Sequence, residues 1–221
     1  MDTAAVLVTL KLATLTAAIL FVVSLPLAWW SATTTSRARP VVDAVVALPI
    51  VLPPTVLGFY VLAALGPDGV VGAPLTAVGG PRLPFTFGGL LVGSLLFNLP
   101  FSVRPFAAAF AAVDRRVVEA AWCAGASRLR TFVRVVLPLS APGLRAGVVL
   151  TFAHAVGEFG VVMMLGGNVP GVTRTLSIAI YDDVGALDYG SAHRTAAALL
   201  VFSFVVLVLA GRGGRRDALL T

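Results

Sequence analysis

Three ionisable side chains, Arg104, His154 and Glu158, lie inside long apolar stretches of the sequence. Ionisable groups are costly in hydrocarbon, so they usually face a cavity, a partner or the path of an ion. Arg104 would attract an anion, or its side chain would extend to the nearby membrane interface. His154 and Glu158 are four residues apart, which on a helix places them on one face where they can pair. We expect this pair to have a structural or gating role rather than to perform proton chemistry.

The sequence contains no recognisable catalytic or metal-binding set. Cys123 is the only cysteine, which excludes an internal disulfide, and only two histidines are present. The polar residues of the apolar stretches form no nucleophile–base pair. No phosphate-binding loop of the GxxxxGK[ST] kind occurs either. We therefore expect a protein that is not an enzyme by itself and that binds no metal or other cofactor.

The composition indicates an integral membrane protein. The 221 residues are 58% hydrophobic and 12% charged, with a mean hydropathy of +0.98. A helix needs about 20 apolar residues to cross a hydrocarbon core of about 30 Å, and these apolar runs are too long for barrel strands. The sequence predicts an all-α, polytopic helix bundle in the lipid bilayer, with residues 1–221 forming a single membrane domain. About five transmembrane helices, or at most six, are expected, with spans near 8–30, 44–65, 87–112, 144–165 and 192–210.

The distribution of basic residues predicts the orientation of these spans. Lys and Arg are enriched in the cytoplasmic loops of membrane proteins. The first gap, the third gap and the C-terminal tail hold eleven arginines, so we expect an external N-terminus and a cytoplasmic C-terminus. No aromatic-plus-basic patch suggests nucleic acid, and the net charge of +6 is explained by topology. The eleven are Arg37, Arg39, Arg115, Arg116, Arg128, Arg130, Arg134, Arg145, Arg212, Arg215 and Arg216, whereas the second and fourth gaps hold Arg82, Arg174 and Arg194.

Prolines predict bends in two of the spans. A proline inside a helix removes one backbone hydrogen bond and crowds the preceding turn. We expect kinks at Pro49, Pro53 and Pro54 in the second span, and at Pro100 and Pro105 in the third. Small and amide-bearing residues in the same spans favour close crossings and hydrogen bonds between helices, as general features of a bundle. They are Gly58, Gly93 and Asn98.

Residues 113–143, called the elbow below, separate the third and fourth spans and contain the stretch EAAWCAGASRLRTFVRVVLPL. A short helix is expected between residues 117 and 129, with Glu119 near its start, where a carboxylate is favourable. A second short helix over residues 129–136 is expected to end before Pro138. Small residues would let a partner approach closely, while Arg128 and Arg130 would meet its acidic groups. An ordinary cytoplasmic loop is the alternative interpretation.

The elbow resembles the EAA signature (EAA-x3-G-x9-I-x-LP) of the membrane subunits of type I ABC importers, with Val135 in place of Ile. In that family the segment is the coupling helix, which docks into a groove of the cytoplasmic ATP-binding subunit. The resemblance therefore implies an importer permease fold and a dimer of ATP-binding subunits, which use ATP and Mg. The ATPase-coupling residues that it implies are Glu119, Ala120, Ala121, Gly125, Ala126, Arg128, Val135, Leu137 and Pro138.

Further stretches are similar to the molybdate branch of these permeases. They are LPIVLPPTVLGFYVL at 48–62, LPFSVRPFAAAF at 99–110, and the segments at 125–144 and 155–181, including GGNVPG at 166–171. Sulfate and thiosulfate permeases are similar around Asn168 but usually longer, and tungstate permeases are close competitors. The resemblance implies a homodimeric permease that receives molybdate from an extracytoplasmic binding protein.

The segment Gly157-Glu158-Phe159-Gly160 resembles the gate region of the family. Phe159 would be an apolar plug, or else a buried aromatic at a helix contact. The residues predicted for the translocation path or gate are Arg104, His154, Glu158, Phe159 and Asn168. His154 occupies a position where the branch usually has another basic residue, Arg. A protein of another class, an ATP-independent secondary transporter or channel, would use Arg104, His154 and Glu158 for ion coupling.

Overall fold

A computed structural model describes the backbone of residues 2–217 and the side chains of residues 2–208. All regular elements in this part of the chain are helical, which confirms the all-α membrane bundle. The tail residues Arg212, Arg215 and Arg216 lie beyond the described side chains. The helices are α1 (Thr3–Thr33), α2 (Arg39–Val51), α3 (Pro54–Leu65), α4 (Gly72–Ala77), α5 (Phe87–Ala111), α6 (Arg115–Cys123), α7 (Arg128–Thr131), α8 (Leu137–Gly157), α9 (Gly160–Gly166), α10 (Leu176–Gly185) and α11 (Tyr189–Asp217). A π-helical segment, Phe132–Val136, joins α7 to α8.

Four helices are long and apolar enough to cross a membrane, among the residues that the structure describes. They are α1, α5, the continuous helix Arg128–Gly157, and α11 over Tyr189–Val208. The pair α2 and α3 also passes as a single span, but its two helices are bent by 111°. Four or five spans are therefore present in the described part of the chain.

The second predicted span is broken rather than kinked. Leu52 and Pro53 are both extended, with ψ angles of 139° and 134°, because a residue before proline is pushed out of the helical region. One end of the pair meets the end of α1, where the Ser31 hydroxyl donates to Asp43 at 2.6 Å. The other end packs Leu65 into a cluster with Leu165 at the opposite end of the bundle. The pair thus crosses the bundle in two pieces.

Polar contacts between α1 and α5 set their relative direction. The Thr16 hydroxyl donates to Ser94 at 3.1 Å, and the Ser24 and Ser102 hydroxyls lie 2.6 Å apart. Eight residues separate the contacts on both helices, so α1 and α5 run parallel. The Ser140 hydroxyl of α8 donates to the Ala109 carbonyl near the end of α5, so α8 runs antiparallel to α5. Consequently the elbow and the arginine-bearing gap after α1 lie at the same end of the bundle.

The fourth predicted span, 144–165, is not one helix. The helix begins earlier, at Arg128, and ends at Gly157, because Glu158 is extended (φ −65°, ψ 133°). The short helix α9 that follows packs between α3 and α5 on two glycines. A Cβ atom on Gly58 would lie 2.8 Å from Met164 Cβ, and one on Gly93 would lie 2.1 Å from Leu165 Cδ1. These two glycines therefore make room for α9 inside the bundle.

Thr9 ties α1 to the first turn of α10. Its hydroxyl donates to the Ala5 carbonyl and accepts from the Leu176 N–H, both at 2.8 Å, and the residue is 1% exposed. The Leu176 N–H is one of the helix-terminal donors that lack an intrahelical partner. We expect Thr9→Val to lower the free energy of unfolding by about 1–3 kcal/mol, because this buried donor loses its acceptor. Thermal unfolding of the purified protein measures the loss, and Thr9→Ser, which keeps the hydroxyl, should be close to wild type. Equal losses in both variants would contradict this account.

Candidate functional site

The first half of the elbow is a short helix closed by a glycine. The Asp114 side chain caps the start of α6 by accepting from the Arg116 N–H at 2.9 Å. At the other end, Gly125 N–H donates to Trp122 O at 2.9 Å and Ala126 N–H donates to Ala121 O at 3.0 Å. These two bonds form a Schellman motif, which needs a left-handed residue after the helix. Gly125 supplies it with φ +81°.

This geometry gives a physical reason for the spacing between Ala121 and Gly125. Ala121 provides the carbonyl that the motif closes on, and Gly125 must follow four residues later. A Cβ atom built on Gly125 meets nothing within 4 Å, so the chain itself leaves open space there. The glycine is therefore required by the backbone turn that follows α6, and the expected helix over residues 117–129 ends earlier, at Cys123.

Glu119 was expected near the start of its helix, but the structure places it in the middle of α6. It is the fifth of the nine residues of α6, and Asp114 fills the capping position instead. Glu119 Oε1 pairs with Arg115 Nε at 3.1 Å, and the two side chains are 54% and 89% exposed. An exposed pair of this kind contributes about 0.5 kcal/mol or less to stability. The carboxyl group therefore remains accessible to a partner.

The second half of the elbow differs from the prediction. Ser127 caps α7 by accepting from the Arg130 N–H at 3.3 Å, and the helix then continues through Pro138 into the membrane span. The predicted end before Pro138 is wrong because the π-helical segment widens the preceding turn, with the Leu137 N–H bonded to Phe132 O. The widened turn relieves the crowding that Pro138 would otherwise cause in the preceding turn of the helix. Residues 128–157 thus form one helix of 30 residues.

The predicted coupling residues lie on both sides of the turn at Gly125. Ala120, Gly125, Arg128 and Pro138 are exposed, and Ala121, Ala126, Val135 and Leu137 are half-buried. The exposed Leu129 lies beside Arg128, with 73% of its surface accessible. Small, basic and apolar groups are thus presented together at one end of the bundle.

A second candidate site lies in the interior of the bundle, around Glu158. This side chain is 4% exposed, and its Oε2 accepts from the Ser94 hydroxyl at 2.8 Å and from Asn98 Nδ2 at 2.9 Å. Asn98 Oδ1 lies 2.8 Å from His154 Nδ1. The amide nitrogen of Asn98 also donates to the Ser94 carbonyl, so its oxygen faces the histidine and His154 Nδ1 is the donor.

His154 and Glu158 therefore do not pair directly, which corrects the expectation from their spacing. Glu158 lies past the end of α8, so the two residues no longer share a helix face. Asn98 joins them instead. Asn98 was expected to be a general helix contact, and Ser94 was not among the residues predicted from the sequence. The available signal was their spacing of four residues on the third span, which places both on one face.

This polar cluster borders an open cavity of about 590 Å³. Pro54, Phe97, His154 and Phe159 are among the residues that line it. The His154 ring stacks on Phe101 with 3.7 Å between centroids, and Glu158 Oε1 has no hydrogen-bond partner among the described residues. An acidic side chain offers no favourable charge to an anion. The arrangement therefore favours a structural or gating role for Glu158 over direct contact with an anionic substrate.

Phe159 lies at the break between α8 and α9. It is half-buried and its ring is 5.2 Å from that of Tyr181. Both alternatives for this residue, a plug or a packed aromatic, are compatible with a ring that borders the cavity and also contacts another helix. Arg104, by contrast, is exposed on α5 and is not among the residues lining this cavity.

Asn168 lies far from the elbow, after α9 at the opposite end of the bundle. Its side-chain oxygen accepts from Arg174 Nε at 2.6 Å, and its nitrogen donates to Asp182. Arg174 also pairs with Asp182 at 3.1 Å and approaches Asp2 at 3.9 Å. Asn168 thus belongs to a charged cluster that joins the start of α1 to α10, apart from His154 and Glu158. Within the described residues, no group of His, Cys, Asp and Glu side chains could hold a metal ion.

The sequence as a whole matches one protein family over residues 21–216, described as "Binding-protein-dependent transport system inner membrane component". The match covers most of the chain. This chain belongs to that family. The permease is thus a polytopic inner-membrane subunit of a transport system that depends on a binding protein. The expectation of a transport subunit rather than an enzyme is confirmed.

Curated relatives of the permease are similar over most of its length. The molybdenum transport system permease protein ModB of Azotobacter vinelandii is 50% identical over 206 residues, covering 93% of this chain and 91% of that protein. ModB of Escherichia coli (strain K12) is 38% identical and covers 80% and 77%. The probable sulfate transport system permease protein cysT of Prototheca wickerhamii is 34% identical and covers 78% and 68%.

Solved structures show the same fold. A bacterial ABC transporter involved in the import of the acidic polysaccharide alginate superposes with a TM-score of 0.74 at 23% identity, covering 96% of this chain and 78% of that chain. The MetNI methionine ABC transporter in inward-facing conformations superposes with a TM-score of 0.73 at 19% identity, covering 96% and 94%. The expected importer permease fold is confirmed.

Proposed function

We propose that this permease is the membrane subunit of an ATP-driven importer of molybdate, which translocates the oxyanion delivered by an external binding protein. The observation that carries the proposal is the 50% identity to a molybdenum transport permease, extended over 93% of the chain. Tungstate or sulfate and thiosulfate are the alternative substrates, since a probable sulfate permease is 34% identical. Tetrahedral oxyanions share charge and shape, so the binding protein would perform most of the selection.

The functional unit is a homodimer with two ATP-binding subunits. Support comes from the open cavity beside His154 and Glu158, which one protomer leaves unclosed and a second copy would cover. The concentration of arginines in the first gap, the third gap and the C-terminal tail of the sequence supports a cytoplasmic C-terminus and an external N-terminus. ATP and Mg are used by the partner subunits, and this chain binds no cofactor of its own.

The helix Arg128–Gly157 connects the two candidate sites mechanically. Its 30 residues reach about 45 Å, from the turn at Gly125 to the break at Glu158. ATP binding would close the partner subunits and draw the two elbows together through α6. Because the helix after the turn is continuous, a tilt at Arg128 would shift its far end beside Phe159. Opening and closing of the cavity would follow from this tilt.

The proposal is tested by ATP-dependent uptake in vesicles that contain the permease, its ATP-binding subunit and its binding protein. Molybdate uptake that tungstate blocks and sulfate does not is the expected result. Sulfate uptake would reassign the substrate while leaving the coupling mechanism in place. Uptake without the ATP-binding subunit would indicate an ATP-independent transporter or channel and would refute the proposal.

A further inference from the structure

A second cavity, of about 500 Å³, lies between the elbow and the adjacent ends of α1 and α5. Its apolar wall includes Trp29, Phe110 and Trp122. The Trp29 ring packs edge-on against Phe110, with 5.5 Å between centroids, so this wall is built from α1 and α5. A cavity of this size is in the range that holds small ligands. Neither the coupling role of the elbow nor the intramembrane cluster accounts for it.

Polar groups converge on this apolar cavity. Arg115 and Arg128 border it, and no carboxylate is paired with Arg128 among the described residues. Arg115 uses one of its five N–H groups for Glu119. Thr131 also lines the cavity, is 3% exposed, and its hydroxyl has no hydrogen-bond partner within the described part of the chain. A buried hydroxyl without an acceptor is costly, so this donor indicates that an acceptor is supplied from outside the chain.

The combination of arginines with an aromatic wall in this cavity matches a ligand with an anionic head and an apolar tail. Two arginines match the oxygens of a phosphate group, and the aromatic wall matches hydrocarbon. The location agrees, because tryptophans concentrate where a membrane helix meets the interface, and Trp29 ends a span. A free phosphate ion has no apolar part that could contact the aromatic wall.

We propose that this cavity binds an anionic phospholipid, with its phosphate between Arg115 and Arg128 and its acyl chain against Trp29, Phe110 and Trp122. The Thr131 hydroxyl donates to a phosphate or ester oxygen. The lipid fills the space behind α6 and so supports the elbow from its membrane side. This inference goes beyond the proposed function and does not depend on which anion is transported.

Tryptophan fluorescence of the full chain in vesicles tests the proposal. Trp29, Trp30 and Trp122 are the only tryptophans, and they lie in the elbow and at the end of α1. Phosphatidylglycerol with brominated acyl chains is titrated as a minor component into phosphatidylcholine vesicles, and brominated phosphatidylcholine serves as the reference. We expect the anionic lipid to quench at much lower mole fractions than the reference. Equal quenching by the two lipids would overturn the proposal.

A matched pair of double variants separates the site from general surface charge. Arg115→Gln with Arg128→Gln removes the two arginines that border the cavity, and should weaken the anionic-lipid preference about fivefold for each arginine. Arg116→Gln with Arg130→Gln removes the same charge from neighbouring residues that do not line the cavity, and should retain the preference. An equal loss in both double variants would show non-specific attraction and would refute the site.

Thr131 provides a test that leaves the charge unchanged. Thr131→Ser keeps the hydroxyl and should bind like wild type, whereas Thr131→Val should weaken anionic-lipid binding severalfold. Equal binding by the serine and valine variants would contradict the assigned hydrogen bond. Inorganic phosphate is added as a competitor to distinguish the two sources of a phosphate group. No displacement by millimolar phosphate is expected, and displacement would assign the cavity to the free ion instead of a lipid.

Discussion

Gly125→Val is expected to reduce ATP-driven uptake about tenfold, while the permease still inserts into the membrane. Gly125 holds φ +81°, a conformation in which a side chain with a Cβ atom costs about 1–2 kcal/mol per residue. The strain opens the Schellman motif that ends α6, so the elbow spends most of its time in a geometry that cannot dock. Uptake and ATP hydrolysis by the assembled importer, normalised to permease content, measure the loss.

Gly125→Asn is the control, because asparagine tolerates the left-handed region better than other residues with a Cβ atom. It should keep most of the uptake. The open space around Gly125 within the chain makes this comparison informative, since no neighbouring atom lies within 4 Å of an added Cβ. If Asn and Val were equally inactive, a partner surface would be in close contact with Gly125, and the backbone explanation would be wrong. Wild-type uptake by Gly125→Val would remove the turn from the coupling mechanism altogether.

Asn98→Leu is expected to lower the free energy of unfolding by about 3 kcal/mol. The amide is fully buried, donates to Glu158 and accepts from His154, so its loss leaves two buried polar groups with missing partners. Ser102→Ala is the matched control on the same helix. Ser102 bonds to the Ser24 hydroxyl and to a backbone carbonyl of its own helix, and we expect a cost of about 1 kcal/mol. Thermal unfolding of the purified permease compares the two.

The double variant Asn98→Leu with Glu158→Met distinguishes a polar network from simple packing. When Glu158 is also replaced by an apolar side chain, the loss of Asn98 no longer leaves a buried carboxyl group without a hydrogen-bond donor. The combined loss should be smaller than the sum of the single losses by at least about 1 kcal/mol. Strict additivity would show that Asn98 acts through its volume alone and would contradict its bridging role.

The sequence alone identified the class of protein and its family. The apolar runs of transmembrane length, the concentration of arginines in alternate gaps, and the spacing from Glu119 to Pro138 are all local properties of the chain. They predict helices because the backbone in lipid must satisfy its own hydrogen bonds, whatever the neighbouring segments do. The match to binding-protein-dependent transport components over residues 21–216 confirms the predicted family.

The helix boundaries in the elbow were not predicted correctly from the local sequence. The sequence predicted a helix over residues 117–129, which in the structure ends at Cys123 before the turn at Gly125, and it ended the second helix before Pro138. A π-helical segment over Phe132–Val136 lets the helix continue, and its first residue, Phe132, packs against Trp29 and Phe110. Trp29 and Phe110 come from two other helices and lie about 100 and about 20 positions before Phe132, so no local pattern predicts these contacts.

The intramembrane site was decided by tertiary structure in the same way. His154 and Glu158 were singled out from the sequence because an ionisable residue in an apolar run is visible there. Their relationship was not, since it depends on a break in the helix at Glu158 and on Asn98 from another span. Periodicity places residues on a face only while the helix continues, whereas burial, cavities and partners arise when distant helices pack. The sequence thus determined which side chains are costly in lipid, and only the packed bundle decided which groups satisfy them.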